Sequence, residues 1–210
     1  MEEDDGEALK KNQDEYPEAF SDSEEEREDF TIRKTDALIV AATADNDHSN
    51  LEVYVYEHEK ANMYVHHEII LSSYPLCMEW LPRWQDEKAN MIIVGTFVPE
   101  IEIWNLDSED CAPRAVLGSF DESEKAKNQM VKKFNKKNKK GQQKPAFSET
   151  THTDAIMSLS LNPFQNEYLA SGSADCTVRV WDIDELACKV TYANIHSDKV
   201  QVCRWNRKNE

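Results

Sequence analysis

The stretch LASGSADCTVRVWDI, residues 169–183, contains the clearest indication of secondary structure in the sequence. Its two halves are short and rich in small and β-branched residues, and the second half alternates in polarity. A turn containing an aspartate separates them. Such a pattern predicts two strands joined by a tight turn, the second ending at Trp181. The stretch VGTFVPEIEIWNL, residues 94–106, aligns with residues 171–183 without a gap, and a fainter copy ends at Tyr56. The unit is therefore a repeat, and the chain is predicted to be all-β.

Charge divides the chain into segments that can and cannot form a core. The 210 residues carry 24 Lys and Arg against 41 Asp and Glu, for a net charge of −17. Residues 1–30 contain 14 acidic and 3 basic side chains, whereas residues 125–144 contain nine lysines and no acid. Dense like charges repel and bury little apolar surface. We therefore predict a disordered acidic arm at 1–35 and a disordered Lys-rich insert at 120–149.

Several classes of protein are disfavoured by composition. No apolar run approaches the roughly 18 residues that span a bilayer, and the acidic N-terminus lacks the apolar segment of a secretory signal. The five cysteines form no CxxC pair, so neither a disulfide framework nor a zinc finger is expected. A reducing, intracellular compartment suits them best.

The repeat has the spacing of a known family. Trp104 and Trp181 are 77 residues apart, and removing an insert of roughly 33 residues gives a pitch near the 40–45 of WD40 units. His152 and His196 begin similar segments 44 residues apart. Residues 169–183, with the Trp181–Asp182 pair, resemble the WD40 signature, which implies a β-propeller with about three blades present as an incomplete ring. The predicted ranges are 36–73 for blade one, 74–119 for blade two, 150–194 for blade three and 195–210 for the opening strand of a further blade.

The WD40 resemblance implies a structural hydrogen-bond network in blade three. Its members are predicted to be His152, Ser171, Asp175 and Trp181, with Ser173 as the alternate hydroxyl. Blade two lacks this pattern, because Val98 stands where Asp175 stands in the alignment. Blade two is therefore expected to depend on apolar packing alone.

No catalytic, cofactor or metal site is predicted. His, Ser and Asp also form hydrolase triads, but neither a GxSxG elbow nor a GxxxxGK[ST] phosphate loop is present. His66 and His67 are adjacent in a predicted strand, where alternation would leave only one of them facing a given site. We therefore expect a protein that is not an enzyme and takes no cofactor or small-molecule substrate.

Three features together resemble the periodic tryptophan protein one family, nuclear WD40 proteins of ribosome biogenesis. They are the acidic arm, the early divergent segment from Asp36 to Leu76 and the Lys-rich insert before His152-Thr-Asp-Ala. The resemblance implies a nuclear and nucleolar scaffold for large-subunit precursors and rRNA processing, with assembly factors and ribosomal proteins as partners. The alternative is a chromatin-associated regulator of transcription that binds histones through the acidic arm. Because family members carry more blades, the chain is expected to be the N-terminal part of a longer protein or a truncated gene model.

Two charged segments carry further candidate sites. Ser21 and Ser23 each precede an acid by three residues, a spacing that suits an acidophilic kinase, although a solvated linker explains it equally well. The Lys-rich insert is dense enough for a nuclear import signal or for sequence-blind contact with rRNA phosphates, or it is a loop that nothing recognises. The candidate lysines are Lys132, Lys133, Lys136, Lys137, Lys139 and Lys140.

Overall fold

The computed structural model describes residues 32–33, 35–45, 48–85, 87–107, 112–119 and 150–208. These residues contain no helix, and accordingly none that is long and apolar enough to cross a membrane. Their strands are β1 Ala37–Ala44, β2 Ser49–Glu57, β3 Asn62–Ile70, β4 Pro75–Trp84, β5 Glu87–Thr96, β6 Ile101–Asn105, β7 Ala115–Leu117, β8 Ile156–Leu161, β9 Tyr168–Ser173, β10 Val178–Asp182 and β11 Ala187–Tyr192.

The strands form three antiparallel meanders. Their orders are β1-β2-β3, β4-β5-β6-β7 and β8-β9-β10-β11, so each strand pairs with its neighbour in sequence. We call these sheets blades one, two and three. The prediction of an all-β fold is confirmed, and the architecture is consistent with part of a β-propeller.

The core lies between the faces of successive blades. In β2 the alternating residues Leu51, Val53 and Val55 are all buried, as the period of a strand with one covered face requires. One apolar cluster joins blades one and two, including Leu51 and Trp104. A second cluster joins blades two and three, and its members include Ile93 and Trp181. The three sheets are therefore stacked like the blades of a propeller.

Blades two and three approach closely at Gly95. A Cβ atom at this position would lie 2.6 Å from Cys77 Sγ and 2.6 Å from Ile156 Cγ2. Contacts this short do not occur in folded proteins without displacement of a neighbour. Glycine at position 95 thus allows β5 to pack beside the start of β8.

Residues 200–205, predicted to open a further blade, are not paired into a ladder but lie along β8. The Ser158 hydroxyl accepts a hydrogen bond from Cys203 N at 3.1 Å and donates one to Cys203 O at 3.3 Å. Ser160 Oγ likewise accepts from Trp205 N at 3.2 Å. Side chains of β8 thus bond the backbone of this segment every second residue, which leaves it extended beside the strand.

Candidate functional site

The predicted network of blade three lies where the loop before β8 meets the turn between β9 and β10. His152 Nε2 is 2.7 Å from Ser171 Oγ, and His152 Nδ1 is 2.9 Å from Asp175 Oδ2. Trp181 Nε1 donates to Ser171 Oγ at 2.7 Å. The structure thus brings all four side chains into one chain of hydrogen bonds that links the preceding loop to three elements of the blade.

Asp175 is the most heavily bonded member of this network. Its carboxylate accepts hydrogen bonds from Thr153 N at 3.0 Å, Thr177 N at 2.9 Å and Thr177 Oγ1 at 2.6 Å, besides the His152 contact. Its side chain is only 3% exposed and that of His152 is 0% exposed. A buried carboxylate with this many donors is both satisfied and held in one orientation.

Of the two predicted hydroxyls, Ser171 is the partner of His152, and a further hydroxyl that was not predicted also contacts this histidine. Ser173, the alternate candidate, bonds Asp154 O at 3.0 Å and Asp175 N at 3.1 Å instead, so it shapes the turn. Thr177 Oγ1 lies 3.1 Å from His152 Nδ1 and was not predicted. The sequence signal for this contact is a hydroxyl residue two positions after the turn aspartate, because such a side chain can hydrogen-bond to that carboxylate.

The protonation states of the network follow from burial and from its hydrogen bonds. Burial lowers the pKa of His152, because the charged imidazolium would lose its hydration. Burial alone would raise the pKa of Asp175, but the hydrogen bonds from His152, Thr177 and Thr153 outweigh it and hold that pKa below its usual range. We infer a neutral imidazole that donates from Nδ1 to an ionised carboxylate, and a Ser171 hydroxyl that donates to Nε2.

Acid is therefore expected to weaken blade three in two stages. The unfolded chain takes up a proton on histidine below about pH 6.5 whereas folded His152 resists it, so stability is lost as the pH falls through that value. Asp175 adds a further loss below about pH 4, where the unfolded carboxyl is protonated first. Thermal melts at pH 7.5 and 5.0 should show a decrease in Tm that is smaller in His152→Asn than in the wild type. The exposed-histidine variant His196→Gln should retain the full decrease, and equal decreases in all three proteins would contradict this assignment.

A triad-like order of Ser171, His152 and Asp175 does not make this network a reaction centre. Both Ser171 and His152 are fully buried, and the serine hydroxyl is already bonded by Trp181 and His152. A nucleophile needs a path to its substrate, and none reaches this oxygen. Burial also raises the pKa of Cys77 to about 12 and that of Cys203 above its ordinary value, so neither thiol is an activated nucleophile.

Blade two is held differently, and the expectation that it depends on apolar packing alone is wrong. Trp104, which aligns with Trp181, donates from Nε1 to Glu102 Oε2 at 3.0 Å, and Ser72 Oγ donates to Glu102 Oε1 at 2.8 Å. At the position of Ser171 stands Val94, which packs with Trp104 in the apolar cluster between blades one and two. Because Val94 offers no oxygen, the buried indole N–H finds a carboxylate on its own strand instead.

Valine in place of the turn aspartate also changes the surface of blade two around the turn between β5 and β6. Thr96 Oγ1 accepts from Val98 N at 3.1 Å, just as Ser173 accepts from Asp175 N, so the turn is preserved. Val98, however, is half-exposed, and the rings of Tyr74 and Phe97 lie 5.8 Å apart beside it, 46% and 59% exposed. Blade two therefore presents apolar side chains where blade three has a buried carboxylate.

The Lys-rich insert leaves and re-enters the fold beside the network. Gly118 has φ +73, and a Cβ there would lie 3.1 Å from the Trp181 ring and 3.7 Å from Thr151 Cβ. Thr151 is itself buried and directly precedes His152. The two flanks of the insert are thus held against the tryptophan and the histidine of the network. The candidate lysines, the candidate phosphorylation sites Ser21 and Ser23, and the acidic arm up to residue 31 lie outside the described residues.

Two polar surfaces lie away from the network. On β4, Glu79 accepts from Leu161 N of β8 at 3.2 Å and pairs with Arg204 at 3.4 Å, which links the first strands of blades two and three to residues 200–205. At the opposite end of the blades from the network, a cleft of about 220 Å³ opens between blades two and three. Its lining consists of Arg83, Gln85, Phe164, Asn166, Glu167 and Asp184.

Comparison with known proteins agrees with the repeat and its geometry. The family described as "WD domain, G-beta repeat" matches residues 143–182, which contain the network of blade three. The chain therefore contains a WD40 repeat at residues 143–182, and the four-stranded sheets of blades two and three have the topology of such units.

Its relatives indicate which WD40 proteins it resembles. Periodic tryptophan protein 1 of Saccharomyces cerevisiae is 36% identical over 90% of the chain, and the homolog in Drosophila melanogaster is 34% identical over 78%. An uncharacterized WD repeat-containing protein of Schizosaccharomyces pombe is 41% identical over 78%. The predicted resemblance to the periodic tryptophan protein 1 family is thereby confirmed. The chain spans 37%, 32% and 30% of the lengths of these three relatives, respectively.

Proposed function

We propose that the protein is a non-enzymatic WD40 scaffold that serves the nuclear and nucleolar assembly of large ribosomal-subunit precursors and the processing of their rRNA. The observation that carries this proposal is the likeness to periodic tryptophan protein 1 over 90% of the chain. The step from that family to ribosome assembly is an inference from likeness and not from site chemistry.

The geometry gives the proposal a physical form. Stacked blades are a rigid platform, and the Lys-rich insert begins and ends where Gly118 and Thr151 are held against the network of blade three. Nine lysines without an acid in residues 125–144 would neutralise rRNA phosphates and release their counterions. The acidic arm, with a net charge of −11 in residues 1–30, suits basic ribosomal proteins, and phosphates on Ser21 and Ser23 would strengthen such pairing.

The first test is RNA capture by the tagged protein from nuclear extract. Replacing Lys132, Lys133, Lys136, Lys137, Lys139 and Lys140 by Ala should reduce the recovery of large-subunit pre-rRNA. Binding of the purified protein to single-stranded RNA should fall steeply with salt, and the six substitutions should reduce the slope of log K against log salt by about 4. The matched control replaces four exposed lysines of the described surface, Lys60, Lys88, Lys199 and Lys208, and should leave recovery largely unchanged.

The same experiment separates the histone-binding alternative. If the protein engages chromatin through its acidic arm, it should stay on nucleosomes after RNase treatment, and the lysine substitutions should not matter. Loss of nucleosome retention when the acids of residues 1–30 are neutralised would then favour a chromatin role. Recovery of neither pre-rRNA nor nucleosomes would count against both.

A further inference from the structure

Blade one has three strands where blades two and three have four. β2 contains Tyr56, the counterpart of Trp104 in β6 and of Trp181 in β10, so β2 is the third strand of its blade. β1 and β3 are therefore the second and fourth strands, and the described residues include no first strand for this blade. Its place is the edge of β1 that faces away from β2, which we call the far edge of β1.

Trp80 of β4 is exposed on the side where that strand would lie. Trp80 pairs with Ile92, which belongs to the cluster between blades one and two, so both side chains face blade one. Ile92 is 4% exposed, whereas Trp80 is 44% exposed. Leu161, at the equivalent position of β8, packs against the next cluster, and the first strand of blade two lies beside it. The exposure of Trp80 thus indicates that a strand is needed beside β4.

The backbone of β1 is oriented to pair with such a strand. In the turn between β1 and β2, Asp45 N donates to His48 O at 2.8 Å, so every second residue of β1 counted back from Asp45 bonds to β2. The N–H and C=O groups of Leu38 and Val40 therefore point to the far edge. A strand edge that presents such groups is a template for a further strand.

The turn at residues 33–36 directs the preceding chain along the far edge. Asp36 N donates to Arg33 O at 3.0 Å, and Arg33 N donates to Asp36 Oδ2 at 2.8 Å. A turn closed in this way reverses the chain, so the residues before Arg33 run antiparallel to β1. Because this segment is tethered directly to β1, its effective concentration at the far edge exceeds that of a strand from another molecule.

We propose that residues 29–32 form the first strand of blade one and pair with β1. Continuing the register of the turn places Thr31 opposite Leu38 and Asp29 opposite Val40, both as hydrogen-bonded pairs. Leu38 and Val40 are also the residues whose backbone groups the β1–β2 pairing directs to the far edge. The two turns on either side of β1 therefore require the same register.

The sequence of this segment resembles the first strand of blade two. Residues 29–33 read DFTIR and residues 79–83 read EWLPR. In both, an acid precedes an aromatic residue and an arginine follows three positions later. Glu79 accepts a hydrogen bond from the first strand of the next blade, so Asp29 has the residue type to link blade one to blade two in the same way.

The proposed strand determines where the acidic arm leaves the fold. β1 runs toward the end of the blades that carries the network, because Ser49, just after it, bonds to Leu71 close to Tyr74. An antiparallel strand at 29–32 therefore directs residues 1–28 toward the network end. The acidic arm and the Lys-rich insert would then leave the blades at the same end.

Hydrogen exchange of the full 210-residue chain, read residue by residue by fragmentation mass spectrometry, tests the pairing. The amides of Leu38 and Val40 should exchange at least about tenfold more slowly in the wild type than in Thr31→Pro, in which proline removes the donor opposite Leu38. The amides of Ile39 and Ala41 bond to β2, so they should stay protected in both proteins and show that blade one remains folded.

The matched control is Ile32→Pro. In the proposed register the N–H of Ile32 points away from β1, and blade two has Pro82 at the aligned position. Exchange in this variant should stay within about twofold of the wild type. If Thr31→Pro unfolds blade one, Asp29→Pro provides the milder change, which should expose Val40 alone.

Fast exchange of Leu38 and Val40 in the folded wild type would overturn the proposal, since the far edge would then be uncovered. Protection that persists in Thr31→Pro and in Asp29→Pro would also overturn it. Loss of that remaining protection on dilution would identify a second copy of the chain as the occupant.

Discussion

Asp175→Ala is expected to lower the free energy of unfolding by about 2–4 kcal/mol, because it removes a buried, charged acceptor and leaves several donors unsatisfied. The substitution would leave His152 Nδ1, Thr153 N and the amide and hydroxyl of Thr177 without their acceptor. Each orphaned buried donor costs about 1–3 kcal/mol, although neighbouring losses do not add fully. Equilibrium unfolding in urea, followed by tryptophan fluorescence, measures the effect.

Val98→Ala is the matched control for this prediction. Val98 occupies the corresponding turn position in blade two, but it is 39% exposed and its side chain has no polar group. Its substitution should cost less than about 1 kcal/mol. Equal losses for Asp175→Ala and Val98→Ala would contradict the network as the source of the stability of blade three.

Gly95→Ala is expected to be the second most damaging change, with a loss of about 1–3 kcal/mol from overpacking. The added methyl would meet Cys77 Sγ and Ile156 Cγ2 at 2.6 Å, and neither neighbour is the free end of a flexible side chain. Relief of the contact with Ile156 requires β5 to move away from β8, which would loosen the apolar cluster between blades two and three, and relief of the contact with Cys77 requires a shift within blade two. The same urea experiment gives the loss in free energy.

The control for this change is Gly141→Ala, in the predicted Lys-rich insert, which should alter stability by less than about 0.5 kcal/mol. A Gly95→Ala variant as stable as the wild type would mean that blades two and three do not approach as closely as the structure has them.

Regular repetition explains what could be predicted from the sequence. Blade three contains a strand–turn–strand unit that ends at Trp181, and blade two contains the equivalent unit ending at Trp104. The two sequences are alike because equivalent strands of each blade must bury the same faces. A match to the WD40 signature around Trp181–Asp182 predicts four hydrogen-bonded side chains together. For that reason the partners of His152 could be named before the fold was known.

What could not be predicted depends on local departures from that pattern. A β-bulge at His66, in the pairing of β2 with β3, changes the face of the sheet on which a side chain lies. His66 and His67 therefore contact each other, and the expectation that only one of them could face a given site is wrong. No residue type near the bulge indicates that the strand contains an extra residue. Glu102 becomes the partner of Trp104 only because Val94 has no hydroxyl, a compensation visible only once the strands are paired. Residues 200–205 have the alternation of a strand, yet the backbone N–H groups of Cys203 and Trp205 donate to serine side chains of β8 and not to its carbonyls.

Sedimentation tests whether the protein serves assembly of the large ribosomal subunit, as we propose. The tagged protein from nuclear extract is run on a sucrose gradient with and without RNase. We expect migration with large-subunit precursors that collapses to the top of the gradient after RNase treatment. Migration at the top of the gradient without RNase, together with retention on salt-washed chromatin, would contradict it and favour the histone-binding alternative.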